Sequence, residues 1–155
     1  MRILFVCTGN TCRSPLAEGV ARHLMARRTL RDVEVTSAGT SAWPDAPASD
    51  GALLVALEHG IDLSDHRARQ LSPELVAKSD VILAMGPHHV ERAEALGGVG
   101  RTWLLTGYVD AVRARPVSDP FGGDLETYRA TFDEMAEEID RVLTRIADDR
   151  ARLST

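Results

Sequence analysis

The chain has 155 residues, of which 44% are hydrophobic and 26% charged, and its formal net charge at pH 7 is −5. This length and apolar content fit one globular domain over residues 1–155, and the negative charge argues against general nucleic-acid binding. No apolar stretch of the sequence is long enough to cross a membrane, and we expect no signal peptide. We therefore expect a cytoplasmic protein that binds neither nucleic acid nor membrane.

Short apolar runs alternate with longer helical patterns along the chain. The short runs predict four strands, at residues 3–6, 33–36, 80–85 and 101–105. Helical periodicity and capping residues predict helices over residues 16–28, 50–57 and 125–148. This alternation is typical of an α/β fold, and we expect a three-layer sandwich with a central four-stranded parallel sheet.

The segment after the first strand reads Cys7-Thr8-Gly9-Asn10-Thr11-Cys12-Arg13-Ser14, and we call residues 7–14 the cysteine loop. Pro15 follows it, and proline suits the first position of a helix because its missing N–H has no intrahelical partner there. The loop thus connects a strand end to a helix start, where backbone N–H groups and the helix dipole favour an anion. It lacks the Gly-Lys-Ser/Thr sequence of a nucleotide-binding Walker A loop. We predict a phosphate-binding loop between the first strand and the first helix.

Four residues of the cysteine loop suit the chemistry of phosphoryl transfer. Cys7 is expected at the floor of a ring of amides, which together with Arg13 favours the thiolate, a nucleophile that needs no separate base. The planar guanidinium of Arg13 can bind two phosphate oxygens at once. Gly9 lets the amides approach a ligand closely, and Ser14 can donate a hydrogen bond to the sulfur. Because the amides and Arg13 neutralise the phosphate, this chemistry requires no metal or other cofactor.

A candidate general acid lies far along the chain, in the segment Ser118-Asp119-Pro120-Phe121-Gly122-Gly123. Its proline and paired glycines predict a loop. Asp119 can protonate the leaving group and then activate the water that hydrolyses a phosphocysteine. Taken alone, an Asp-Pro pair is more simply a turn. Combined with the cysteine loop, it favours a catalytic role.

These two segments together resemble the low-molecular-weight protein tyrosine phosphatase family, and the resemblance runs nearly end to end. Residues 36–43 resemble the family's loop beside the pocket, and residues 66–71 match a recurrent family stretch. The resemblance implies that Cys7 is the nucleophile, Arg13 the phosphate clamp and Asp119 the acid.

The resemblance also implies a buried hydrogen-bond network that holds the cysteine loop in shape. Its members are Asn10, Ser37 and His66. Such a network has a physical purpose, because preorganised donors need no rearrangement when charge develops in the transition state.

Two positions of the sequence bear on which phosphorylated side chain is the substrate. Tyrosine-selective members usually carry a larger aliphatic residue where this chain has Thr11, and an aromatic pair after Asp-Pro. Here Phe121 is followed by two glycines. A bacterial branch with threonine at this position resembles protein arginine phosphatases, so we favour phosphoarginine and also expect activity on phosphotyrosine. Phe121 and Trp43 are expected to form the pocket walls for either flat group.

Other functions remain open at this point. An arsenate reductase of the same fold would need further cysteines, and this chain has two, Cys7 and Cys12. A non-catalytic module that binds phosphoproteins would need neither the thiolate nor Asp119. A metabolite phosphatase fits an aromatic-walled pocket less well. The expected partners are phosphorylated proteins, and the sequence does not define the oligomeric state.

Cys12 has two equally weighted interpretations. It can pack beneath the cysteine loop, or it can trap an oxidised Cys7 as a reversible disulfide. Two cysteines with four residues between them, without a second ligand pair, make a poor zinc site. The polar residues of segment 88–94, including His88 and His89, are expected to form the solvated face of a helix, and Arg67 and Arg69 to be surface charges.

Overall fold

The sheet of this protein consists of four parallel strands. The computed structural model describes residues 1–28 and 30–153; the predicted domain also includes residues 29, 154 and 155, which lie outside the described residues. The strands are β1 (Arg2–Cys7), β2 (Glu34–Gly39), β3 (Val81–Ala84) and β4 (Thr102–Leu104). Their order is β2-β1-β3-β4, so β1 is paired on both sides. All four predicted strands are confirmed, with ends that differ by up to three residues.

Five α-helices connect and cover the strands. They are α1 (Arg13–Arg28), α2 (Asp50–Glu58), α3 (Pro73–Ala77), α4 (Pro87–Ala93) and α5 (Leu125–Leu153). Helix α1 begins three residues before the predicted start, which places Pro15 in its first turn, where backbone N–H groups have no intrahelical partner. Helix α3 was not predicted, since five residues are too few to show a helical period.

Alternate residues of β1 enter two separate cores. Ile3, Phe5 and Cys7 pack in the larger core with side chains of α1, α2 and α5. Leu4 and Val6 pack in the smaller one with residues of α3 and α4. Because successive side chains of a strand point to opposite faces, this division means that helices cover both faces of the sheet. The predicted three-layer sandwich is confirmed, and it brings Cys7 to the carboxyl end of a central strand.

Candidate active site

The cysteine loop runs from the end of β1 into the first turn of α1. The Leu16 N–H donates to the Cys12 carbonyl at 3.2 Å, so the helix begins directly behind the loop. The buried Cys7 sulfur accepts a hydrogen bond from the Asn10 N–H at 3.3 Å and lies 2.9 Å from the Ser14 hydroxyl. These donors and the positive end of the helix dipole stabilise negative charge on sulfur.

Asn10 holds the loop through every polar group of its side chain. Its backbone is left-handed, with φ of 56°, a conformation that asparagine adopts more readily than most residues. Its Nδ2 donates to the hydroxyls of Ser14, at 2.8 Å, and Ser37, at 3.0 Å. Its Oδ1 accepts from the Arg69 N–H, and its carbonyl accepts from His66 Nε2 at 2.6 Å. The structure therefore brings together Asn10, Ser37 and His66, and it adds the backbone of Arg69.

The Asn10 contacts also orient the Ser14 hydroxyl. Because Asn10 Nδ2 donates to Ser14 Oγ, one lone pair of that oxygen is occupied. A Cys7 thiolate can only accept, so the hydroxyl hydrogen of Ser14 is then available to the sulfur 2.9 Å away. The donor role expected for Ser14 from the sequence stays a prediction.

A cavity of about 220 Å³ opens above the cysteine loop. Most of its lining comes from the loop and the rest from the segment around Asp119; the lining residues are Cys7, Thr8, Gly9, Thr11, Cys12, Arg13, Asp119 and Phe121. Trp43 is not among them, and its side chain is 81% exposed. The Ser41 N–H donates to the Thr8 carbonyl, so the segment containing Trp43 does lie against the loop. The resemblance to the family thus identified a segment beside the site. Trp43 itself does not form a wall of this cavity, because the direction of its side chain depends on the turn that follows it.

Arg13 and Asp119 form an ion pair in the lining of the cavity. The Arg13 guanidinium is almost fully buried, and its Nη1 donates to the Val117 carbonyl at 2.9 Å. Its Nη2 lies 3.6 Å from Asp119 Oδ2, and within the described residues its Nε–H has no hydrogen-bond partner. The Asp119 side chain is half exposed, and its Oδ1 accepts from the Phe121 N–H. Arg13 is thus fixed along one edge, with a buried N–H left for an anion.

The Cys12 side chain belongs to a small polar cluster with Ser49 and Tyr128. Its thiol donates to the Ser49 hydroxyl at 3.3 Å and lies 3.4 Å from the Tyr128 hydroxyl. Burial, together with the bond to Cys12, raises the pKa of Tyr128 to about 12, so this phenol stays neutral near pH 7. Both cysteines are free thiols. Among the described residues, no group of three or more His, Cys, Asp and Glu side chains is arranged to hold a metal ion.

His89 is a residue of this region that the sequence analysis missed. It is fully buried, and its Nε2 lies 2.8 Å from the Thr8 hydroxyl. Burial above all, with the charges of His88 and Arg13, lowers the pKa of His89 to about 4, so the ring is neutral near pH 7. The expectation of a solvated helix face is wrong for His89, although it holds for the exposed His88. Only two residues separate β3 from α4, so the first turn of the helix, which carries His89, lies close to the end of the sheet where the cysteine loop begins.

An α/β sheet whose central strand ends in a buried cysteine, with an arginine in the next helical turn, defines a class of cysteine-dependent phosphatases. The family model described as low molecular weight phosphotyrosine protein phosphatase matches residues 2–152 of the chain. The chain therefore belongs to this family, as its sequence predicts. No helix within the described ranges has both the length and the apolar character to span a bilayer.

Relatives of the chain include both arginine and tyrosine phosphatases. A protein-arginine-phosphatase from Geobacillus stearothermophilus is 40% identical over 149 residues, 94% of this chain and 95% of that protein. The low molecular weight protein-tyrosine-phosphatase PtpB of Staphylococcus haemolyticus is 37% identical over 145 residues, 93% of this chain and 99% of that protein. A solved structure of the YwlE arginine phosphatase, a mutant with a phosphorylated active site serine, matches with a TM-score of 0.91. It is 36% identical and covers 97% of this chain and 99% of that one.

Proposed function

We propose that residues 1–155 form one phosphatase domain that hydrolyses phosphorylated protein side chains through a phosphocysteine intermediate, without a metal ion. The observation that carries this proposal is the environment of the Cys7 sulfur. Two donors lie 2.9 and 3.3 Å from it, and it lines a cavity together with Arg13 and Asp119. The phosphorylated serine in the related YwlE mutant is consistent with a side chain that accepts the phosphoryl group. The cytoplasmic location expected from the sequence stays a prediction.

The reaction proceeds in two displacements at phosphorus. In the first, the Cys7 thiolate forms a bond to phosphorus while the bond to the leaving oxygen or nitrogen breaks, and Asp119 gives that atom a proton. In the second, Asp119 takes a proton from water as the water oxygen attacks phosphorus and the sulfur leaves. Arg13 and the loop amides hold the phosphoryl oxygens in both steps. The Ser14 hydrogen bond stabilises the departing thiolate.

The preferred substrate is phosphoarginine, with phosphotyrosine as a secondary substrate. Thr11 lines the cavity and presents a branched, polar side chain there. Its hydroxyl offers a planar guanidinium a hydrogen-bond partner that an aliphatic side chain lacks. Phe121, which also lines the cavity, can stack on a guanidinium or on a phenol ring. The protein-arginine-phosphatase from Geobacillus stearothermophilus supports this preference.

Initial rates on matched phosphoarginine and phosphotyrosine peptides, measured with a chelator present, test the proposal. Wild type should turn over both peptides and prefer phosphoarginine, and Cys7→Ser should turn over neither. Thr11→Ile should shift the ratio of the two rates toward phosphotyrosine. Thr11→Ser, which keeps the hydroxyl, is the matched control and should retain the wild-type preference.

Three outcomes of this experiment would count against the proposal. Turnover that survives Cys7→Ser would exclude the phosphocysteine route. An unchanged rate ratio in Thr11→Ile would remove Thr11 as the determinant of the substrate. Binding of phosphopeptides by wild type without any turnover would instead indicate a phosphoprotein-binding module.

A further inference from the structure

We propose that His89 is a positioning residue for the cysteine loop, acting through the side chain of Thr8. This inference rests on the proposed function, because it concerns how the loop presents its amides to a phosphoryl group. Thr8 immediately follows Cys7 and lines the cavity. His89 lies on α4, which packs on the opposite face of the sheet from α1. Their contact, 2.8 Å between His89 Nε2 and Thr8 Oγ1, joins that helix to the loop.

The backbone around Thr8 is held on its other side by the segment after β2. The Thr40 N–H donates to the Cys7 carbonyl and the Ser41 N–H donates to the Thr8 carbonyl, both at 2.9 Å. In a trans peptide the C=O and the next N–H point in opposite directions. The N–H groups of Thr8 and Gly9 therefore point away from this segment. Thr8 and Gly9 line the cavity, so their amides are in position to bind an anion.

The side chain of Thr8 controls whether this orientation is kept. Rotation of the Thr8 peptide would turn its amide out of the cavity. The hydrogen bond between Thr8 Oγ1 and His89 Nε2 opposes that rotation on one side, and the bonds from Thr40 and Ser41 oppose it on the other. The catalytic value of an oxyanion donor depends on its placement before charge develops. His89 thereby affects the reaction without touching the substrate.

The burial of His89 argues against a role in packing alone. Its ring is fully buried, and among the described residues its Nδ1 has no hydrogen-bond partner. A buried polar atom without a partner is unfavourable, and an aliphatic side chain of similar size would avoid it. Gly86 leaves space for this ring and for that of His88, because a Cβ atom there would lie 3.3 Å from His89 Nδ1 and 3.2 Å from His88 Cε1. The polarity of His89 is thus used at Thr8.

A double-mutant cycle tests this role. Thr8→Val removes the hydroxyl at nearly constant shape, and His89→Leu removes the ring nitrogen. Each substitution should lower kcat/KM about tenfold, which is less than the roughly 100-fold loss of a whole oxyanion donor because the amide is displaced and not deleted. The double variant should be no worse than either single variant. Thr8→Ser keeps the hydroxyl and should recover most of the kcat/KM that Thr8→Val loses.

Two further measurements separate positioning from a general structural defect. The affinity for orthovanadate, which mimics the five-coordinate phosphorus, should weaken by the same factor as kcat/KM in both single variants. The urea midpoint of His89→Leu should be equal to that of wild type or higher. A kcat/KM that falls about 100-fold in the double variant, the product of the two single losses, would overturn the role of His89. So would an unchanged vanadate affinity in the single variants. If wild type hydrolyses no phosphopeptide, the proposed function fails, and the vanadate cycle alone decides on His89.

Discussion

The folded protein should lose stability steeply between pH 6.5 and pH 4 because of His89. The usual pKa of histidine is 6.5, and burial lowers that of His89 to about 4. Between these values the unfolded chain binds a proton that the folded protein does not, so the free energy of unfolding rises with pH across this window. Each pKa unit is worth about 1.4 kcal/mol, which gives a loss of about 3 kcal/mol when the pH is lowered from 7 to 4.

Urea unfolding followed at pH 7, 6, 5 and 4 measures this contribution. Carboxylates also titrate toward the acid end of this range. The informative quantity is therefore the difference in the free energy of unfolding between wild type and His89→Leu at each pH. That difference should shift by about 3 kcal/mol against wild type as the pH falls from 7 to 4. The control variant His23→Ala, which removes an exposed histidine of α1, should follow wild type. A difference between wild type and His89→Leu that does not change with pH would show that His89 titrates alike in both states.

Two other substitutions address the chemistry of the site. Asp119→Asn should lower kcat/KM about 100-fold for aryl phosphates whose phenol is a poor leaving group. The loss should be much smaller when the phenol is acidic, because an acidic phenol leaves without being protonated. A series of substituted phenyl phosphates measures this, and an equal loss across the series would contradict the role of Asp119 as acid. Cys12→Ser should recover less activity than wild type after peroxide and thiol reductant, because Cys7 then lacks a nearby thiol to form a reducible disulfide. Equal recovery of the two proteins would leave Cys12 a packing role.

The sequence predicts best the parts of the site that are local in the chain. The cysteine loop has to follow a strand and open a helix for its chemistry to work, and residues 2–28 form that strand, loop and helix. The network around Asn10 was expected only through resemblance to a family. No periodic pattern places Ser37 and His66 beside a loop 27 and 56 residues away.

The parts that the sequence did not predict depend on tertiary packing. Helix α4 has seven residues, too few for a hydrophobic period to define its buried face. Whether His89 faces water or the loop is decided by how β3 delivers the chain into that helix. Trp43 illustrates the same limit, because a motif can place a segment beside the site without fixing which way an exposed side chain points.

Arg13 connects two parts of the site that come from different stretches of the chain. Asn10, Ser37 and His66, which hold the cysteine loop, lie before residue 70. Asp119 and Phe121 lie in a later segment, just after Val117, whose carbonyl accepts a hydrogen bond from Arg13. That contact uses the backbone carbonyl of Val117, so it places no demand on the side chains that follow. With Asp119 kept as the acid, residues 120–123 can therefore be exchanged between relatives to redesign leaving-group selectivity while the anion site is left intact.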